Sequence, residues 1–520
     1  MLIVFRVDGS SRIGAGHIMR CLALAQEFCA LGAKVEFICR RFAGNLIREI
    51  EQDGFIVHAL PGPKDQPTSD GQQYVGDPSP EDWLGVSVNR DVSETSSIVK
   101  RQEPDWLVID HYGIDVLWES HLHELVPKIM VIEDLTNRSH NCEALLNHNF
   151  TLHKIDQYRD RIPRDCVHFI GPEFALLRSE FSQARRQRKK NQRRIGRILL
   201  LFGADPKNVT ATLLTTLSHR DFSHLEVDVV LSAGSIHREA VAETVAKRPN
   251  ARLHIQTKQI STLMIESDLC IGAGGVSMLE RLCVGLPSLV VTIASNQEPS
   301  SLGLYREGYL VWYASSEKLD LGQLNVALKN AMARPFPLNA IAKKGMELVT
   351  GGGARTVAEF IVNGKLPSEL RVRHACFADC ETYWYWANDK FVRINAFQSS
   401  NIEWETHREW FQKKMSSNDS RLIIAESAIG PVGQVRFDRV GEFWVVDFSV
   451  ARQFRGHDRG QEVLALAINL FRKSSPAPLI AEVKEENCAS VKVFQKLGFS
   501  EISVEKTGVR GFKLTSDRPS

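Results

Sequence analysis

The sequence predicts two Rossmann-like α/β halves followed by a smaller α+β domain. Three observations lead there. Short apolar runs alternate with stretches of helical period, once from the amino terminus and again from Ile198. Glycine-rich turns stand where apolar runs end and helical stretches begin. Beyond residue 365 the alternation stops and aromatic residues cluster. At 520 residues, three domains fit the usual domain size, and boundaries at 1–182, 195–365 and 370–520 follow from the composition.

The first run, Leu2-Ile-Val-Phe-Arg-Val7, has five apolar residues in six and reads as a buried parallel strand. The Gly- and Ser-rich stretch Asp8–Gly16 continues neither strand nor helix. From His17 to Leu31, Ile18, Cys21, Leu22, Ala25, Phe28 and Cys29 recur at helical spacing. Gly14, Gly16 and His17 therefore lie at the carboxyl edge of a parallel sheet, where ligands bind in open α/β folds and helix-start N–H groups favour anions. An imidazole there is placed for proton transfer beside a phosphate. Alone, the run fits a polar helix start without chemistry slightly better. Val35–Cys39, Ile56–Leu60, Trp106–Asp110 and Lys128–Glu133 read as further strands, and 61–92 as one long loop.

Arg185 to Arg197 holds eight basic residues in thirteen, and reads as a solvated linker or helix face marking a boundary. The second series follows: Ile198–Phe202, Val227–Leu231, Leu269–Gly272 and Ser288–Ile293. Its most specific run is Ile271-Gly-Ala-Gly-Gly-Val-Ser-Met-Leu-Glu280, then Gly285-Leu-Pro287 and Asn296-Gln297. Gly274 and Gly275 let a ligand approach the backbone, and a carboxylate further along the helix reaches a ribose diol. A second such turn, Phe202-Gly203-Ala-Asp205, favours a nucleotide cleft over a plain strand–helix turn.

In the last part Leu422–Glu426, Val432–Phe437, Phe443–Val450 and Leu479–Val483 read as strands, and Gln461–Phe471 and Ala489–Leu497 as helices. Charge is balanced, 64 basic against 62 acidic residues, so no global footprint of nucleic-acid binding is present. Ten cysteines lack zinc-site spacing and read as reduced thiols. No run approaches the roughly 20 apolar residues of a membrane span, and no leader pattern opens the chain, so a cytoplasmic protein is expected.

Residues 1–365 resemble a known family. The Gly-Gly-x-Ser-x-x-Glu run with Gly-Leu-Pro is similar to the nucleotide-sugar half of GT-B proteins, including MurG-type glycosyltransferases. Asp8-x-Ser-x-x-Ile-Gly-x-Gly-His17-x-x-Arg20-Cys resembles the UDP-2,4-diacetamido-2,4,6-trideoxy-β-L-altropyranose hydrolases of pseudaminic acid biosynthesis. Asp110-His-Tyr112, Gly171–Arg178 and Asn296-Gln297 fit it too. The resemblance implies His17 as the base that activates water, with no metal or cofactor. Asp8, Asp110 and Tyr112 would orient His17, water or sugar, with His111 a rival base. It further implies Gly14, Gly16, Gly203, Gly274, Gly275, Ser277 and Glu280 at UDP, and Arg20, Asn296 and Gln297 at the sugar.

The turn Val450-Ala-Arg-Gln-Phe-Arg455-Gly456-His-Asp-Arg-Gly460, with Asn487 and Leu497-Gly498-Phe499, resembles GNAT N-acetyltransferases. That implies acetyl-CoA as a partner, held by Val450, Arg455, Gly456, Gly460 and Asn487. Two residues depart from the pattern: Asp458 replaces a loop glycine and Phe494 a tyrosine acid. A carboxylate beside a pyrophosphate is repulsive. If active, the domain would acetylate the UDP-amino-sugar one step before hydrolysis. The rivals are a GT-B UDP-sugar glycosyltransferase and a nucleotide-sugar-binding protein with a degenerate GNAT domain. Stereochemistry of the sugar is implied by the resemblance alone.

Overall fold

The computed structural model describes residues 1–10, 13–63, 79–151, 158, 160–163, 166–188, 194–334, 336–365, 369–427, 430–451, 454–455 and 458–515. The chain forms two compact units, Met1–Lys365 and Leu366–Ser520.

The first unit contains two all-parallel sheets. Strands β1 (Leu2–Val7), β2 (Lys34–Arg40), β3 (Ile56–Leu60), β4 (Trp106–Asp110), β5 (Ile129–Ile132), β6 (Ala144–Asn147) and β7 (Val167–Ile170) lie in the order β3-β2-β1-β4-β5-β6-β7. Strands β8 (Arg197–Gly203), β9 (Glu226–Leu231), β10 (Ala251–Ile255), β11 (Leu269–Gly272), β12 (Ser288–Thr292) and β13 (Trp312–Ser315) give β10-β9-β8-β11-β12-β13. Both sheets are Rossmann-like in strand order. Strand order reverses between β1 and β4, and again between β8 and β11, which opens a crevice at the carboxyl edge of each sheet. Val4, Leu107 and Ile109 on one side, and Ile198, Leu200 and Ile271 on the other, are buried in the respective cores. The last helix of the unit, Gly353–Asn363, packs back on the first helix, Gly16–Ala30. Gly353 is required there, because a Cβ would stand 2.5 Å from the Phe174 carbonyl carbon.

Strands β6, β7, β10 and β13 were not read from the sequence; each has only four or five residues. The long loop expected over 61–92 is shorter than that. Helices occupy Pro80–Leu84 and Val88–Gln102, and the first opens on a capping box between Ser79 and Asp82 with Pro80 at its first turn. Residues 64–78 lie outside the described residues. The basic segment is not simply solvated either. Arg188 donates to the Met264 and Ser267 carbonyls at 2.7 and 3.1 Å, and Arg185 to the Val349 carbonyl at 3.0 Å, which satisfies helix ends.

The second unit is one seven-stranded sheet, β14 (Arg371–His374), β15 (Ser420–Ser427), β16 (Gly430–Val440), β17 (Phe443–Val450), β18 (Leu479–Lys484), β19 (Ser500–Ile502) and β20 (Val509–Leu514), in the order β14-β15-β16-β17-β18-β20-β19. Every neighbouring pair is antiparallel except β17 with β18. Those two strands register only at Trp444↔Leu479 and Val445↔Ile480, then part. Helices Arg459–Arg472 and Cys488–Lys496 pack beside this opening.

Candidate active site

His17 opens the first helix after β1, and Asp110 ends β4, so both stand where the first sheet's order reverses. They meet: His17 Nδ1 lies 2.5 Å from Asp110 Oδ1. With Nδ1–H donating to the carboxylate, Nε2 carries the free lone pair. Burial alone would raise the Asp110 carboxyl, but Arg20 and His17 hold it well below the usual carboxylate range. Arg20 is one helical turn from His17, and its Nε and Nη2 each donate to Asp110 at 2.6 Å. Tyr112 packs edge-on against the His17 ring, centroids 4.6 Å apart. Its hydroxyl donates to Asp134 at 2.9 Å and accepts from Asn296 Nδ2, of the second half, at 3.3 Å.

Asp8 is placed elsewhere. It is buried against Arg6 at 2.9 Å, accepts from the Arg40 backbone N–H at 2.6 Å and faces His111 Nε2 at 3.2 Å. None of these contacts is with His17. His111 Nδ1 accepts from the Gly113 N–H at 3.0 Å, and burial lowers its pKa. Arg20, expected at the sugar, is 3% exposed and commits its guanidinium to Asp110 and Asp134. Sequence reasoning missed Asp134, which follows β5 in a turn with no local pattern.

Gly14 has φ +87° and its N–H donates to the Ser10 carbonyl at 2.8 Å. A Cβ at Gly14 or Gly16 would meet nothing within 4 Å, so open space lies beside this helix start. In the second half Gly275 caps the helix Val276–Val284, and no side chain bonds that terminus. Its N–H groups, with Ser277 in the first turn, form an anion-receptive end. A Cβ at Gly274 would stand 2.3 Å from Ser301 Oγ, so only glycine fits. Gln297 Oε1 accepts from the Gly274 and Ile293 N–H groups at 3.3 and 3.1 Å, which braces the turn. The Gly203 turn differs. Its helix start is filled by Asp205, which accepts from the Val209 and Thr210 N–H groups at 2.9 and 2.8 Å. Glu280 has a 13% exposed side chain with Arg178 at 3.8 Å; burial pushes its carboxyl up to about 7 against the pull of Arg178.

In the second unit Val450 ends β17, and its carbonyl accepts from Arg455 Nε at 2.9 Å. Arg455 also donates to Asp389 at 2.7 Å. Gly456 lies outside the described residues. Gly460 stands in the first turn of its helix, and Asn487 caps the next by accepting from the Ser490 N–H. Asp458 takes the left-handed conformation, φ +57°, that glycine would take. Its carboxylate pairs with Lys496 at 2.7 Å, and its helix start keeps no side-chain cap. This pair is solvent-exposed, so the lysine offsets the carboxylate's charge only in part. Phe494 is buried among Phe448, Phe499 and Phe512. His407 is buried as well, its Nε2 3.0 Å from the Cys380 carbonyl.

These arrangements define two modules, a pair of Rossmann-like halves and a mostly antiparallel seven-stranded sheet. An acetyltransferase (GNAT) domain family matches residues 369–500. The UDP-2,4-diacetamido-2,4,6-trideoxy-β-L-altropyranose hydrolase of Campylobacter jejuni is 27% identical over 314 residues, 60% of this chain and 99% of that protein. An uncharacterized protein of Methanocaldococcus jannaschii is 23% identical over 530 residues, 96% of this chain and 97% of that one. The spore coat polysaccharide biosynthesis protein SpsG of Bacillus subtilis is 29% identical over 261 residues, 49% of this chain and 75% of that protein. The N-terminal region thus resembles the sugar-nucleotide hydrolase, and the C-terminal region is a GNAT domain. No helix among the described residues is long and apolar enough to cross a membrane.

Proposed function

We propose that the halves 1–182 and 195–365 hydrolyse UDP-2,4-diacetamido-2,4,6-trideoxy-β-L-altropyranose to UDP and the free sugar, a step of pseudaminic acid biosynthesis. The observation that carries this reading is the Asp110-anchored His17 at one sheet's crevice, in a unit whose other sheet presents an uncapped glycine-rich helix start. Water bonds to the anomeric carbon as the carbon–oxygen bond to the diphosphate breaks. UDP leaves with the electron pair, and His17 Nε2 takes the water's proton. The diphosphate is held by the N–H groups around Gly274, Gly275 and Ser277, and the ribose by Glu280. Gly14 and Gly16 leave room at the first crevice, and Asn296 and Gln297 border the sugar. UDP is a good leaving group, so strong acid catalysis at the departing oxygen is less necessary.

Residues 370–520 are read as an acetyl-CoA-dependent N-acetyltransferase acting on UDP-4-amino-4,6-dideoxy-N-acetyl-β-L-altrosamine. Acetyl-CoA supplies the acetyl group. Val450, Arg455, Gly460 and Asn487 surround it, and the left-handed Asp458 and the parting of β17 from β18 support the fit.

The hydrolase test is a panel of UDP-diacetamido hexoses without acceptor, with products read by mass spectrometry. Stoichiometric UDP and free sugar are expected, and His17→Ala should stop turnover while UDP still binds. A wild-type chain that turns over only with an acceptor hydroxyl is a glycosyltransferase instead. For the second module, no CoA released from acetyl-CoA in the presence of the amino-sugar, while hydrolysis persists, refutes the acetyltransferase reading.

A further inference from the structure

Asp134 follows β5 and reaches three parts of the site. Arg20 Nη1 contacts its two oxygens at 2.8 and 3.0 Å, the Tyr112 hydroxyl donates at 2.9 Å, and Asn149 Nδ2 donates at 3.0 Å. Arg20 in turn grips Asp110, which holds His17. Tyr112 touches the His17 ring and links to Asn296 of the second half. Asp134 is therefore the point where the supports of His17 converge.

Charge gives it a second part. The groups around His17 are Arg20 and Cys21 on its own helix, Asp110 and Tyr112 at the end of β4, Asp134 after β5 and His148 after β6. Burial and the Arg20 charge hold His148 down to about 4, so it stays neutral near pH 7. Burial and neighbouring carboxylates keep the Cys21 thiol and the Tyr112 phenol protonated. What remains is one guanidinium against two carboxylates, in a setting where charge imbalance is costly. A neutral imidazole leaves the cluster one negative charge in excess; an imidazolium balances it.

We infer that Asp134 is a positioning residue for His17: it fixes Arg20 and Tyr112, and it is the second carboxylate whose charge is balanced when His17 receives the proton of the attacking water. This rests on the hydrolase reading. Asp134→Asn keeps hydrogen-bonding atoms and removes the charge. In steady-state UDP release by the full chain it should lower kcat roughly 10- to 100-fold with little change in KM, and UDP affinity by calorimetry should stay as in wild type. Tyr112→Phe, which keeps the carboxylate on Arg20, should lower kcat less. A kcat equal to wild type in a folded Asp134→Asn chain overturns the inference, and so does a fall that appears in KM alone. Asp134→Ser repeats the test if the amide variant does not fold, and failure of both to fold assigns Asp134 a structural role instead. Absence of UDP release from wild type removes the hydrolase reading and this inference with it, whereas wild-type release with an unchanged Asp134→Asn chain removes this inference alone.

Discussion

At the scale of single residues, the site depends on how buried charges are shared. Asp110 accepts from His17 and Arg20 together. Asp110→Asn keeps the shape but lets the imidazole take the other tautomer. UDP release should fall by about 10²- to 10⁴-fold, with UDP affinity by calorimetry unchanged. Glu280 gives a pH prediction. If its carboxylate receives the ribose hydroxyls, UDP binding should weaken as pH falls below about 7, and Glu280→Gln should flatten that dependence. A wild-type affinity constant from pH 5 to 8 contradicts the assignment. The stability sign is opposite to that of a paired acid. With its folded pKa raised, this group makes the native chain bind more protons than the unfolded one between about 4.5 and 7, so it lowers stability as pH rises through that window. Glu280→Gln should therefore raise the melting temperature at pH 8 more than at pH 5. The placement of His17 and Glu280 on helices that follow strands was legible, because each strand–helix junction carries a local signature. Asp134 was not, since its meaning comes from Arg20, 114 positions away.

At the scale of elements, the two glycine turns make opposite predictions. Gly274→Ala forces a Cβ against Ser301 Oγ and Thr292 Cγ2, so the turn must shift and UDP affinity should drop at least about tenfold by calorimetry. Gly16→Ala meets nothing, so its melt should stay within about 0.5 kcal/mol of wild type. Lost turnover in that variant with an unchanged melt would mark a ligand beside the first helix. The strands at both reversal points were legible, because each apolar run gives way to a turn that contains glycine. Ala144–Asn147 and Trp312–Ser315 were not, since each is only four residues long and no glycine follows it closely. The helix at Pro80–Leu84 was hidden by the loop-like composition around it, although Ser79-Pro80 with Asp82 is a legible helix start. Asp8 was read as a strand-end carboxylate that orients His17, water or sugar; its contacts in the structure are with Arg6 on its own strand, the Arg40 backbone on the next and His111.

At the scale of the whole molecule, two compact units with separate cores predict two calorimetric transitions. UDP should raise one and CoA the other, each by about 2.7 kcal/mol at a hundredfold excess over Kd. Both ligands moving the same transition would show that the units unfold together. The division near residue 365 was legible as a change of texture. The parting of β17 from β18 was not, because strand pairing over two residues leaves no trace in either strand's pattern. That parting has a cost outside catalysis. A sheet that opens in its middle has two extra edges, and unpaired edges recruit strands from other chains. Whatever fills the seam therefore also guards it, and the empty domain should be the part of the molecule most prone to self-association when concentrated.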